Sequence, residues 1–339
     1  MPRKIKSNNN SSPELLASVN PDNMSLKNEF LNYLKSIGRS DGTIKGYDND
    51  LDGFFCWILL NANNKNFTDV TKRDIINYQN HLIYDNKNSP ARVRRIKAAI
   101  SSMSNFIEAI LDEEPEYKDF RKIVSKIESP PLEPVQEKTV FSDEDVESLL
   151  QYLSDTKEYE KACCVALAAY GGRRKAELLR FKVSDFDKHH IVCDGALYES
   201  SPILTKGNKI INCYTLKKKF DPYLNAWIKE RKRLGIESEW LFPNRNNLEE
   251  ARKIETLNSW AMSFSRIVKK DFYWHALRHY SATSYVRAGL PDSVIVEIFS
   301  WATADMLAIY DDTGKEEKIA MYFKNGDIDI PETKGIGDI

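Results

Sequence analysis

A stretch with three prolines divides this chain into two separately folding parts. It spans residues 128–139, and its prolines are Pro130, Pro131 and Pro134. Proline fixes φ and lacks a backbone donor, so neither a helix interior nor a central strand passes through such a stretch. We therefore predict an extended linker over residues 128–139. The total length of 339 residues also fits two domains of ordinary size.

The first residues differ in composition from the rest. Residues 1–23 combine a short basic start with a run rich in Asn, Ser and Pro, which cannot bury enough apolar surface to offset its chain entropy. We predict a disordered tail over this segment. It lacks the apolar stretch of a signal peptide, and no other window approaches the ~18 apolar residues of a membrane span. The expected location is therefore the cytoplasm.

Hydrophobic residues in the part before the linker follow the period of a helix. They recur at steps of three and four in two stripes, residues 44–58 and residues 93–110. Ser40 or Thr43 can cap the first of these helices. We predict a helical domain over residues 24–127, in which both stripes form the core and the polar residues beside them face a ligand.

Helical patterns also dominate the part after the linker, residues 140–325, with one interruption. Two β-type runs, residues 203–205 and 210–214, flank the sequence Lys-Gly-Asn-Lys. Gly and Asn tolerate positive φ, so we predict a β-hairpin with Lys206 at its tip. This domain is therefore mainly helical with one small sheet. Residues 326–339 are acidic and contain Gly, and we predict a flexible tail.

The charge balance gives no direct sign of a polyanionic partner. The chain has 49 Lys and Arg against 50 Asp and Glu, whereas dedicated nucleic-acid-binding domains are often strongly basic. The basic residues are clustered, however, for example over residues 92–97 and 229–233, so a basic face opposite an acidic one would reconcile the two observations. The five cysteines are odd in number and form no C-x-x-C pair, so we expect neither a disulfide framework nor a zinc ribbon.

Three short motifs follow one another in the second domain. The first is G-x-R-x-x-E, the second is H-x-L-R-H, and the third is a Trp nine residues before a Tyr. Together with a hairpin lysine they resemble the tyrosine recombinase (lambda-integrase) family, and the resemblance covers the whole second domain. Each motif alone is a weak signal, whereas all of them in this order are a strong one. The residues concerned are Gly172, Arg174, Glu177, Lys206, His275, Leu277, Arg278, His279, Trp301 and Tyr310.

The resemblance implies a fold that is mainly α with a small β-sheet. A helical core-binding (SAM-like) domain and a mixed α/β catalytic domain would form a C-shaped clamp, and the S-x-x-T-x-x-x-Y pattern from Ser40 also resembles the former. The implied partners are double-stranded DNA recombination sites, with a homotetramer in the synaptic complex. The family's reaction uses no cofactor and no metal. An excisionase or a host DNA-bending factor is a further partner that the resemblance leaves open.

The implied activity is site-specific recombination through a 3′-phosphotyrosyl intermediate, with Tyr310 as the nucleophile. Strand exchange without an energy source requires that the phosphodiester energy be kept in a covalent link. A phenol supplies a suitable oxygen for that link once it is activated. Negative charge develops on the non-bridging phosphate oxygens, and the guanidinium forks of Arg174 and Arg278 can neutralise it through paired hydrogen bonds.

The remaining catalytic residues have narrower roles. His275 adds a donor to the phosphate and can handle protons, and by resemblance Lys206 is the general acid for the leaving 5′ oxygen. Trp301 carries one N–H donor and cannot titrate, so it can only hold the phosphate or pack the site. Glu177 and His279 are predicted to support the site, Glu177 because a carboxylate beside the phosphate would repel it.

DNA recognition is predicted for polar residues beside the two helical stripes of the first domain. Such residues can face the major groove while the stripes form the core. The predicted DNA-binding residues are Thr43, Lys45, Arg92, Arg94, Arg95 and Lys97.

Two places depart from the family's pattern. Arg173 stands where the family usually has an apolar residue, so it competes with Arg174 for the role of the first catalytic arginine. We prefer Arg174 because it lies three residues before Glu177, as the motif requires. The sequence Phe299-Ser300-Trp301 replaces the usual Leu-Gly-His, which leaves less help with proton transfer.

The same residues allow other functions. His275 and His279 have the spacing of a zinc metalloprotease, but Ala276 stands where that motif needs Glu. A type IB topoisomerase or a telomere resolvase shares the chemistry, but the N-terminal helices and the H-x-L-R-H motif fit recombinases better. The Asn-rich N-terminus favours mobile-element integration or excision. Xer-type chromosome or plasmid dimer resolution and a non-catalytic DNA-binding relative are the alternatives.

Overall fold

The structure, a computed structural model, describes most of the chain as two compact units, one on each side of the predicted linker. The first ten residues, the centre of the linker, Lys206 and most of the predicted C-terminal tail lie outside the described residues. No helix among the described residues is long and apolar enough to span a bilayer. The described residues are 11–131, 139–205, 209–314, 316, 320, 323–324 and 327–328.

The N-terminal unit is built from helices, as its hydrophobic stripes predict. Its α-helices are α1 (Pro13–Ser18), α2 (Pro21–Ser36), α3 (Asp41–Asn61), α4 (Lys72–Asn80) and α5 (Pro90–Ile110). Ser40 caps α3 and Ser89 caps α5, each by accepting a backbone N–H of the first turn. The apolar faces of α2, α3 and α5 share one core, in which Phe54 and Ile100 are fully buried.

The prediction of a disordered tail over residues 1–23 is wrong for its second half. Helix α1 begins after Ser12, which caps it, and α2 begins before residue 23. Asn23 is buried, and its Oδ1 accepts the backbone N–H of Phe67 at 2.7 Å. The polar residues here act as helix caps and hydrogen-bonding partners, roles that composition does not distinguish from those of a solvated chain.

The start of the predicted linker is bound to α5. The buried Lys97 ammonium donates to the carbonyls of Ile127 at 3.1 Å and Glu128 at 2.8 Å. Arg94 Nε donates to the carbonyl of Pro130 at 2.9 Å. These first linker residues therefore belong to the N-terminal unit, because side chains of α5 satisfy their backbone acceptors.

The C-terminal unit, which carries the predicted catalytic residues and is named the catalytic unit for them, is also mainly helical. Its helices are α6 (Asp143–Asp155), α7 (Tyr159–Gly171), α8 (Lys175–Leu178), α9 (Lys217–Arg233), α10 (Ile254–Val268), α11 (Trp274–Arg287), α12 (Asp292–Phe299) and α13 (Asp305–Tyr310). Helix α7 is buried on all sides from Ala162 to Gly171 and packs against α9 and α11. A helix that is apolar all round belongs in the centre of a unit, and α7 carries the first arginine motif at its end.

The strands of this unit are short. They are β1 (Ile191–Val192), β2 (Leu197–Glu199), β3 (Ile203–Leu204), β4 (Ile210–Ile211), β5 (Tyr214–Leu216), β6 (Pro243–Asn244), β7 (Asn247–Ala251), β8 (Phe323–Lys324) and β9 (Asp327–Ile328). Strands β1, β2 and β5 form an antiparallel sheet, and β3 pairs with β4 as the predicted hairpin.

The prediction of a single sheet is wrong. Strands β6 and β7 pair within the stretch predicted as helical, and β9, inside the predicted flexible tail, pairs with β8. Strand β7 buries none of its residues fully, so it lacks the alternation of apolar and polar residues that identifies a half-buried strand in a sequence.

Candidate active site and DNA-contacting residues

Four segments of the catalytic unit bring five of the six predicted catalytic residues together. Arg174 lies between α7 and α8, His275 and Arg278 lie on α11, Trp301 follows α12, and Tyr310 ends α13. Helix α11 packs against α7, α12 and α13, so it is the element around which the site forms. Residues that are up to 136 positions apart in the sequence, from 174 to 310, thereby share one site.

The side chain of Tyr310 is buried among aromatic rings. Only 5% of the residue is exposed, and its ring stacks on that of Trp301 with centroids 5.0 Å apart. The centroid distances to His275 and His279 are 5.1 Å and 4.8 Å. The guanidinium carbon of Arg278 lies 5.3 Å from the centre of the Tyr310 ring. All five side chains belong to one chain.

Helix α11 also holds the backbone around Tyr310. Thr283 Oγ1 donates to the Tyr310 carbonyl at 3.4 Å and accepts the backbone N–H of Asp312 at 3.0 Å. His279 Nδ1 lies 3.5 Å from a carboxylate oxygen of Asp312, and both side chains are nearly buried. This contact gives His279 a role in positioning the end of α13. Asp312 lies two residues after Tyr310, but no motif in the sequence indicates a role for it.

Arg278 is wholly buried. Its Nη1 donates to the Gly172 carbonyl at 2.6 Å, and its Nη2 donates to the Phe299 carbonyl at 3.2 Å. Burial, followed by the neighbouring cations Arg173 and Arg174, lowers the pKa of Arg278 to about 10. The guanidinium is still charged at neutral pH, so it remains able to neutralise a phosphate.

Arg174 is more open than Arg278. Its side chain is 40% exposed, and Nη1 forms an ion pair with Glu177 Oε1 at 2.9 Å. The second carboxylate oxygen of Glu177 accepts the backbone N–H of Arg174, also at 2.9 Å. Glu177 is buried, so it orients the Arg174 guanidinium from the protein interior. Part of the guanidinium still faces solvent. Arg173, in contrast, is fully buried and lies over the ring of Phe299, whereas Arg278, also buried, lies over the rings of Trp301 and Tyr310. This difference favours Arg174 over Arg173 as the second phosphate-facing arginine.

His275 differs from an ordinary surface histidine in its titration. Its ring packs against those of His279 and Tyr310. The resulting partial desolvation, followed by His279, Arg278 and Arg174, lowers the pKa of His275 to about 4. The imidazole is therefore neutral at physiological pH and can accept a proton from a nearby hydroxyl.

Two further donors border the site. The indole N–H of the buried Trp301 has no hydrogen-bond partner among the described residues, so it is available to an oxygen of a bound substrate. Lys206 lies outside the described residues, but Lys209 at the base of the same hairpin donates to the carbonyl of Ser300 at 3.3 Å. This contact brings the described base of the hairpin next to the residue before Trp301.

The predicted DNA-binding residues fall into two groups. Arg92 and Arg95 each lie 2.7 Å from a different oxygen of Asp50, whose side chain is fully buried, and remain about one-third to one-half exposed at 36% and 49%. Lys45 is exposed on the first turns of α3, and Thr43 is half-buried beside it.

Arg94 and Lys97 form the second group, because they bind backbone carbonyls at the start of the linker. Lys97 is buried with its ammonium bonded, so the structure does not support its predicted contact with DNA. Arg94 is exposed and stays a predicted DNA contact. Asp50 was missed in the sequence, although it lies in phase with the hydrophobic stripe of α3. An acidic residue at such a position predicts a buried basic partner.

Comparisons with known protein families give a match for each of the two units. Residues 139–317 match the Phage integrase family, and residues 26–116 match the Phage integrase, N-terminal SAM-like domain. The SPbeta prophage-derived recombinase-like protein YomM of Bacillus subtilis (strain 168) is 29% identical over 265 residues, which are 75% of this chain and 74% of the relative. The TnP I resolvase of Bacillus thuringiensis is 23% identical over 271 residues, 78% and 87% of the two chains.

Two solved structures share the fold. The XerH site-specific recombinase bound to palindromic difH substrate, in a post-cleavage complex, has a TM-score of 0.63 at 18% identity, covering 82% of this chain and 79% of its own. A lambda integrase tetramer bound to a Holliday junction has a TM-score of 0.62 at 16% identity, covering 87% and 77%. At these identities the likeness concerns the fold alone.

Proposed function

The chain belongs to the phage integrase family and is a tyrosine-type site-specific DNA recombinase, and we propose that Tyr310 joins it covalently to DNA. The observation that carries this proposal is the contact of the Tyr310 ring with His275, Arg278 and Trp301 of the same chain. The neutral imidazole can take the phenolic proton, and the guanidinium can hold the phosphate. The same contacts support attack by Tyr310 within its own subunit.

The proposed cleavage step exchanges one phosphoester for another. The Tyr310 oxygen forms a bond to phosphorus while the bond from phosphorus to the 5′ oxygen of the next nucleotide breaks. His275 accepts the phenolic proton, and Lys206, by resemblance, gives a proton to the departing oxygen. Arg174 and Arg278 neutralise the charge that develops on the non-bridging oxygens. Religation reverses these steps from a 5′-hydroxyl, so the bond energy is kept and no cofactor is consumed.

We expect the purified full-length protein to form covalent adducts with nicked duplex DNA in EDTA as efficiently as in Mg²⁺. The expectation rests on the arginines, which supply the charge neutralisation that metal ions supply in other phosphoryl-transfer enzymes. The substrate is a pool of nicked duplexes with randomised central sequences. The protein reacts preferentially with those that contain its target sequence, so the target need not be known beforehand. Adducts are recovered under denaturing conditions and quantified, and their DNA is sequenced.

The outcomes of this experiment separate the alternatives. Adducts that form only with Mg²⁺ would contradict the proposed chemistry. A complete lack of adducts, accompanied by DNA binding, would favour a non-catalytic relative. The enriched sequence also identifies the recombination site, which is needed for the quantitative experiments below.

We propose that the exposed side of α3 and α5 contacts DNA through Thr43, Lys45, Arg92 and Arg95. Support comes from the ion pairs of Arg92 and Arg95 with the buried Asp50. A buried carboxylate fixes the two guanidinium groups in one orientation, which lowers the entropy that they lose on binding. Their exposed parts can then bind phosphate or a guanine edge.

We expect Arg92→Gln and Arg95→Gln each to reduce the salt dependence of DNA binding. If each side chain neutralises one phosphate, the slope of log K against log salt becomes shallower by about 0.9 per substitution. Fluorescence anisotropy with duplex DNA over a range of salt concentrations measures the slope. Arg121→Gln is the matched control, because Arg121 is an exposed arginine of the same unit outside the proposed surface. If Arg92→Gln and Arg95→Gln have the same slope as the Arg121→Gln control, neither arginine belongs to the DNA-binding surface.

We propose a role in integration or excision of a mobile element, acting as a homotetramer on paired DNA sites. The relatives support this role, since one is described as prophage-derived and another as the TnP I resolvase. The tetramer is supported by the lambda integrase structure, which is a tetramer on a Holliday junction. An excisionase or host DNA-bending factor would then set the direction of the reaction, and the cytoplasm would be the place where it occurs.

A further inference from the structure

Arg173 is an unusual buried cation next to the site. It is fully buried, its Nε donates to the Gly171 carbonyl at 2.6 Å, and its Nη2 donates to the Ile298 carbonyl. Its Nη1 is buried without a hydrogen-bond partner among the described residues. Burial of a guanidinium is costly unless its charge is compensated, and within the described part of the chain Arg173 forms no ion pair. The cost of burying this cation makes a specific role for it worth testing.

Arg278 forms a pair of hydrogen bonds similar to that of Arg173. Arg278 joins Gly172 to Phe299, and Arg173 joins the residue before each of them. Two guanidinium groups thus connect the same pair of segments, residues 171–172 and residues 298–299, one residue apart. The first segment ends α7 and leads into Arg174, whereas the second ends α12 and leads into Trp301.

Both bridging arginines are fully buried, but they differ in the aromatic rings that they contact. Arg278 lies against the rings of Trp301 and Tyr310, at 5.5 Å and 5.3 Å from their centres, so a phosphate attacked by the tyrosine competes for its donors. Both guanidinium groups lie over the Phe299 ring, Arg278 at 4.9 Å and Arg173 at 5.9 Å, but among the described residues Arg173 lies over neither the Trp301 ring nor the Tyr310 ring. The Nε of Arg278 has no hydrogen-bond partner among the described residues and is the first donor that a phosphate can use. Any donor that Arg278 turns from a carbonyl to the phosphate weakens its own bridge, whereas both bonds of Arg173 stay in place.

The charges around the junction also match an anionic substrate. Of the guanidinium groups of Arg173, Arg174 and Arg278, only that of Arg174 forms an ion pair among the described residues, with Glu177. The cluster therefore carries excess positive charge in a desolvated position. A phosphate diester supplies the missing negative charge, and the buried third cation strengthens its attraction.

We propose that Arg173 is a positioning residue for DNA cleavage, which holds the Arg174 and Trp301 segments together while Arg278 binds the phosphate. The inference rests on the proposed function, because it takes Arg278 as a phosphate ligand. It also accounts for an arginine at a position that is usually apolar in the family. An apolar residue would fill the space there but would leave the carbonyls of Gly171 and Ile298 without their shared donor.

The test compares Arg173→Met with Arg173→Lys in the full-length protein. Adduct formation is followed in single-turnover reactions on the nicked site selected above, and active molecules are counted by the final amplitude. We expect Arg173→Met to slow the reaction at saturating DNA about 100-fold, because small misplacements of reacting groups have effects of this size. The half-saturating DNA concentration should change by less than about threefold, since Arg173 does not itself touch DNA.

Lysine keeps the charge but offers one nitrogen in place of the fork, so Arg173→Lys should recover part of the rate and remain slower than the wild type. A merely structural role would reduce the active fraction and thermal stability while leaving the rate per active molecule unchanged, and that result overturns the inference. Full activity of Arg173→Lys also overturns it, even if Arg173→Met does not fold. Lack of adducts with the wild type is a different result, which speaks against the proposed function itself.

Discussion

Replacement of Tyr310 by phenylalanine is expected to abolish covalent adduct formation without loss of DNA binding. The substitution removes the attacking oxygen, and loss of an enzyme nucleophile costs on the order of 10⁶-fold in rate. The ring stays, so its packing on Trp301 and His279 and hence the fold of the site are preserved. Adducts are measured under denaturing conditions on the nicked site, and DNA affinity is measured in parallel.

Tyr285→Phe provides the matched control. Tyr285 is buried in the same unit, and its hydroxyl has no hydrogen-bond partner among the described residues. Removal of an unsatisfied buried hydroxyl is close to neutral for stability, so this variant should form adducts at the wild-type rate. An adduct that persists in Tyr310→Phe would move the nucleophile to another residue, and mapping of the DNA-linked peptide would identify it.

The second large effect is expected for Arg174→Lys, which should slow adduct formation by about 10²- to 10³-fold. Lysine keeps the positive charge but cannot form the paired hydrogen bonds of a guanidinium. It also cannot span Glu177 and a phosphate at the same time, as the half-exposed Arg174 can. Because the charge is retained, the affinity for DNA should fall by less than about tenfold, so the effect appears in the rate at saturation.

Arg180→Lys is the control for this experiment. Arg180 is an exposed arginine close to Arg174 in sequence but outside the site, and its exchange should leave the rate unchanged. If Arg174→Lys cleaves as fast as the wild type, the first catalytic arginine is a different residue. Arg173 is the competitor at that position, and the variants described above test its role.

The helices and the grouping of five predicted catalytic residues could be predicted because their signals are local or depend on spacing. The stripes of α3 and α5 have the period of a helix, and a Gly-Asn pair between two β-type runs predicts a hairpin. No local pattern in the sequence indicates that Arg174 and Tyr310 lie near each other in the fold. Their proximity followed from the resemblance, since no local rule indicates that α11 packs against both α7 and α13.

The helical periodicity was less informative about whether charged residues are buried. Lys97 and Asp50 lie in phase with the stripes of their helices and are buried, yet their charge suggested that they face solvent. Whether such a residue is buried depends on a partner from a distant segment, such as the Arg92 guanidinium or the Glu128 carbonyl. The sequence shows the position of the charge but not that partner.

The bonds from α5 to the start of the linker also bear on how such proteins exchange parts during evolution. Lys97 and Arg94 bind the carbonyls of Ile127, Glu128 and Pro130, so a crossover between related genes before residue 130 combines α5 with a linker start whose sequence did not evolve beside it. A crossover after it keeps the N-terminal unit intact. The transferable module is therefore longer than its last helix, and we expect a shuffled gene to encode a more stable N-terminal unit when this short extension travels with it.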